Sequence, residues 1–145
     1  MKKGFTLVEF SISVIIVSLI ILVSIPMFVN YQKNTKLKSE ARVLATNLRL
    51  AQQLAITEQI IYNLTLYPDS NEYKIINSQT SAVVKTVPID SEVTISQIKA
   101  LTANTAKFNP TGAAIETGEI ILTNTRSETS TIQIKPSGYV QIIEQ

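Results

Sequence analysis

The 145-residue chain contains no cysteine and no histidine. Without cysteine there is no disulfide framework, no lipoprotein acylation site and no thiolate metal site. Without histidine the usual general base and the commonest metal ligand are gone, so the composition argues against an enzyme and points to no cofactor or metal. Glycine is also scarce: the four are Gly4, Gly112, Gly118 and Gly138, with none between Phe5 and Thr111. Of the five prolines, only Pro26 falls between Phe5 and Gln59. A continuous helix of roughly 55 residues, about 80 Å long, is therefore permitted over 5–59. Pro26 removes one backbone donor within it and predicts a helix kink. Strong charge is missing as well. Lys2 and Lys3 supply the formal net charge of +2, and residues 5–145 carry eleven basic and eleven acidic side chains. No field of the kind that phosphate backbones reward is built.

What the chain does have is an apolar run from Phe5 to Val29, behind Lys2, Lys3 and Gly4. At 1.5 Å per residue, about 25 residues reach roughly 37 Å, enough to span a hydrocarbon core. A soluble core helix is excluded by that length. A cleaved secretory signal needs a small-residue exit, and Ser24-Ile25-Pro26-Met27-Phe28 supplies none. A plain signal anchor fits the span but leaves Gly4 and Glu9 unexplained. Glu9 is the one full charge in the run. A carboxylate in a membrane segment costs roughly 2.5–3.5 kcal/mol at the centre and less near the end, so anchoring alone does not call for it.

The stretch Lys3-Gly4-Phe5-Thr6-Leu7-Val8-Glu9 resembles the processing site of type IV pilins and type II secretion pseudopilins. The resemblance implies cleavage by a prepilin peptidase between Gly4 and Phe5, with Phe5 left as an N-methylated amino terminus. It also implies that Glu9 meets the new amino group of a neighbouring subunit and sets the axial register. The residue chemistry agrees. Lys2 and Lys3 hold a leader on the cytoplasmic side. Gly4 has no side chain to obstruct a protease. Glu9, one turn into the helix, lies near the positive end of its dipole.

Past Asn30 the pattern becomes amphipathic. Leu37, Ala41, Leu44, Leu48, Ala51 and Ala55 recur at three- and four-residue steps and form one stripe, expected to pack on a sheet. Lys33, Lys36, Lys38, Arg42 and Arg49 occupy other faces. From Ile60 onward, β-branched and aromatic residues predict strands over 60–67, 72–76, 82–87, 92–98, 120–125, 131–135 and 139–143. Turn signals punctuate them at 68–71, 110–112 and 136–138, and loops are expected over 77–81 and 100–106. The organisation is therefore a leader (1–4), a transmembrane and assembly helix (5–29), its amphipathic continuation (30–59) and an antiparallel β domain (60–145). The fold class is α+β, a long N-terminal helix packed on antiparallel sheet.

The later half is similar to the GspH/FimT group of minor pseudopilins and pilins. The similarity rests on Phe108-Asn109-Pro110-Thr111-Gly112, the strand after Gly118, and the closing Ile132-Gln133-Ile134-Lys135-Pro136-Ser137-Gly138-Tyr139-Val140. It implies a pilin fold in a structural subunit of a type II secretion filament, a type IV pilus or a competence pilus. Implied partners are the prepilin peptidase, other subunits, an inner-membrane assembly platform, and lipid before assembly. The implied location is the bacterial inner membrane, single pass, with the C-terminal domain outside the cytoplasm, or extracellular in a pilus. The alternative is a DNA-binding minor pilin of a competence pilus. Its closing hairpin offers Arg126 and Lys135 against Glu128 and Glu144, too balanced for strong phosphate binding. Asn63-Leu64-Thr65 fits a glycosylation acceptor but falls inside a predicted strand. Asp69, Glu72, Asp90 and Glu92 have no calcium-loop spacing.

Overall fold

The computed structural model describes Gly4 and residues 6–144, apart from the side chains at 23, 25–27, 29, 30 and 144. Lys2, Lys3 and Phe5 of the expected processing site lie outside the described residues, as does the Pro26 side chain. The helix α1, Leu7–Glu58, is assigned as one element of 52 residues. It matches the glycine-free, nearly proline-free window, two residues shorter at its start and one at its end than 5–59. The chain divides into two compact units, Met1–Gln32 and Lys33–Gln145.

In the first unit, described side chains of α1 are exposed on every face, including Leu7, Phe10, Val14, Val17 and Ile21. Four serine hydroxyls donate to the carbonyl one turn back: Ser11 to Leu7, Ser13 to Glu9, Ser18 to Val14 and Ser24 to Ile20, at 2.8–2.9 Å. These polar groups are thus satisfied within the helix, as a low-dielectric surrounding requires. Among the described residues no helix is long and apolar enough to cross a membrane. The expected span, 5–29, includes Phe5 and side chains outside that set.

In the second unit, the predicted stripe is the core. Leu37, Ala41, Leu44, Leu48, Ala51 and Ala55 are all buried. Three of these six positions are alanine, small enough to let the strands approach the helix closely. Among the described residues eight strands follow: β1 (Tyr62–Tyr67), β2 (Glu72–Asn77), β3 (Val83–Pro88), β4 (Val93–Lys99), β5 (Thr105–Phe108), β6 (Gly118–Asn124), β7 (Thr129–Ile134) and β8 (Val140–Glu144). They form two four-stranded antiparallel sheets, ordered β3-β2-β1-β5 and β4-β6-β7-β8. Burial alternates strictly along β6 and β7, the signature of sheets with one face in the core. Inward residues such as Leu64, Tyr73, Ile75, Ile120, Leu122 and Ile132 join the helix stripe in one cluster.

Two features differ from the sequence expectation. The strands divide between two sheets, because pairing partners are not written in strand composition. Residues 100–106, expected as a loop, contain a 3-10 turn at Thr102–Asn104 and the start of β5. That strand is only four residues long and exists through its pairing with β1, Tyr62 opposite Phe108 and Thr65 opposite Thr105.

The hairpins follow the turn signals. Asn71, in the left-handed region at φ 51°, closes β1–β2, and its Nδ2 donates to the Val93 carbonyl at 2.7 Å, tying this turn to the start of β4. Between β6 and β7, the Asn124 carboxamide oxygen accepts from the Arg126 and Glu128 amides at 2.9 and 3.1 Å.

Candidate functional site

Thr6 and Glu9 build the helix start. The Thr6 hydroxyl accepts from the Glu9 amide at 3.2 Å, while Glu9 Oε2 accepts from the Thr6 amide at 2.9 Å and from its hydroxyl at 2.8 Å. This reciprocal pair is a capping box, with Thr6 as N-cap and Glu9 three residues in, and it satisfies donors the first turn leaves orphaned. Glu9 therefore has an intrachain role that its charge alone did not reveal. The signal was present as Thr-x-x-Glu before an apolar run. Glu9 remains exposed, as does Gly4, and among the described residues nothing lies within 4 Å of where a Cβ on Gly4 would stand. Phe5, between them, lies outside the described residues, and α1 is assigned without interruption across Pro26.

In the second unit, three polar side chains of α1 pin the sheets. Asn47 is buried, donating from Nδ2 to the Tyr73 hydroxyl at 2.8 Å and accepting from Lys85 Nζ at 2.9 Å. Arg49 donates to the Val140 carbonyl at 3.0 Å. Gln52 Nε2 donates to the Gly112 carbonyl at 2.7 Å. Sequence patterning assigns such residues to solvated faces, and only the position of Asn47 between Leu44 and Leu48 betrays its burial. Burial pushes the Tyr73 phenol up to about 12, against the lesser opposing pull of the Asn47 hydrogen bond.

The two glycine turns meet at Gln52. Gly112 (φ +85°) and Gly138 (φ +79°) both occupy backbone conformations that side chains disfavour. A Cβ on Gly138 would overlap both the Gly112 carbonyl oxygen and the Gln52 carboxamide. One on Gly112 would stand 2.7 Å from Ile56 Cδ1. The Ala114 amide donates to the Pro136 carbonyl at 3.1 Å, and the Asn109 side-chain oxygen ties the first turn to the Thr111 and Ala113 amides at 3.0 Å. The Phe-x-Pro-x-Gly and Pro-Ser-Gly signals are thus two halves of one junction.

Charged side chains gather elsewhere. Lys36 Nζ lies 3.2 Å from Glu92 and 3.3 Å from Asp90. Glu92 first, then Asp90, hold the Lys36 ammonium above its ordinary range. The Asp90 carboxyl is held low, chiefly by the Glu92 amide, which donates to it at 2.9 Å. Burial raises the nearby Glu40 carboxyl. In the β6–β7 turn, Arg126 lies 3.8 Å from Glu128, so one cation of the hairpin already faces a carboxylate. Among the described residues no three acidic side chains cluster to hold a metal ion.

Residues 40–138, most of the second unit, match the family model described as type II transport protein GspH. The chain belongs to the GspH family. No curated protein matches it. Among solved structures, the Pseudomonas aeruginosa type IV minor pilin FimU is similar at 14% identity and a TM-score of 0.63, over 78% of this chain and 92% of that one. The minor pseudopilin EpsH of the Vibrio cholerae type 2 secretion system is similar at 10% identity and a TM-score of 0.63, over 75% of this chain and 97% of that one. Identities this low establish a shared pilin fold. The family match begins at residue 40, so the processing-site resemblance rests on residues 2–9 alone.

Proposed function

We propose that this GspH-family chain is a minor subunit of a type II secretion or type IV pilus-like filament, made as a precursor and assembled through its N-terminal helix. The observation that carries this is the contrast within α1. The first unit exposes large apolar side chains on all faces, with its serines internally satisfied, while the second unit buries a stripe in its own sheets. Apolar surface of that extent requires lipid or neighbouring subunits. A prepilin peptidase cuts between Gly4 and Phe5, Phe5 is N-methylated, and residues 5–29 wait in the inner membrane with the β domain outside the cytoplasm. Pro26 loosens the helix within that span. Glu9, held at the helix start by Thr6, presents its carboxylate to a neighbour's amino group, as a register device more than a large stabiliser. FimU and EpsH are described as minor components, and a minor subunit borders mainly on other kinds of subunit. Family and structural relatives are pilin-like subunits, and the role is structural.

Glu9→Ala tests the assembly role. Processing and membrane insertion are expected to persist while filament incorporation is lost. Incorporation at the wild-type level would remove Glu9 from the assembly joint. The DNA-uptake alternative predicts a salt-sensitive DNA shift by the intact chain that Lys135→Ala abolishes.

A further inference from the structure

We draw no further inference here: the strongest candidate, the hydroxyl-rich trough on the outer face of the β4-β6-β7-β8 sheet, lined by Lys99, Ile121, Thr123 and Thr131 among others, is a solvated sheet face, and nothing in the structure shows what ligand or partner covers it.

Discussion

The two stretches of α1 share one backbone geometry and differ in what covers them. In the first unit, Met1–Gln32, the described apolar side chains of α1 are exposed around the whole circumference. Within Lys33–Gln145 a stripe from Leu37 to Ala55 is buried by the chain's own sheets, and polar residues beside it are tied to strands and turns. Intrinsic helix propensity is lower in the first stretch, rich in isoleucine, valine and serine, than in the second, rich in alanine and leucine. One stretch obtains its partner by folding; the other, on the function proposed above, obtains it by insertion or assembly. Substitutions therefore register in different experiments according to which stretch they touch.

The largest separation should come from paired truncations. Leu48→Ala, at a fully buried position, should cost about 2–5 kcal/mol in denaturant unfolding of the detergent-solubilised chain. Ile20→Ala, exposed in the first unit, should change the same measurement by less than about 0.5 kcal/mol. Equal losses would erase the distinction.

The glycine junction comes next. Gly138→Ala places a methyl group against the Gly112 carbonyl and Gln52 at positive φ, and should cost roughly 2–3 kcal/mol. Adding Gln52→Ala should recover part of that loss, giving a non-additive double-mutant cycle. Strict additivity would mean that Gln52 and Gly138 do not share a junction.

Tyr73 sharpens the account through pH. Its phenol is raised in the folded unit, so the folded state keeps a proton that the unfolded chain loses above its ordinary value near 10. Stability from this group is complete below pH 10 and declines as pH rises to about 12, by on the order of 2 kcal/mol. The drop should be visible in unfolding midpoints and should be smaller in Tyr73→Phe. The smallest effect is at the helix start. Thr6→Val removes the capping hydroxyl and should weaken the first turn by about 1 kcal/mol, read as faster amide exchange at residues 8–10 with the second unit unchanged.

Much of this organisation is legible before the structure. Scarcity of glycine and proline marks the long helix, and three- and four-residue spacing names six buried positions correctly. Strand composition and turn residues locate seven of the eight strands to within two residues at their ends. The division into two sheets is not legible, because it depends on which strands pair. β5 is missed because Thr105-Ala106-Lys107-Phe108 is strand-like only opposite β1. The pins Asn47, Arg49 and Gln52 look like solvated helix residues until their partners, 26, 91 and 60 positions away, are brought to them. At the helix start, Glu9 is prominent as a misplaced charge, yet its pairing with Thr6 lies in a four-residue motif easily overlooked beside the apolar run.

The central claim is that the first residues are a removable leader ahead of an assembly helix. Intact-mass spectrometry of the chain recovered from native membranes with an active prepilin peptidase tests it most directly. The account predicts a chain beginning at Phe5 and carrying one added methyl group. A chain that still carries Met1 to Gly4 would contradict it.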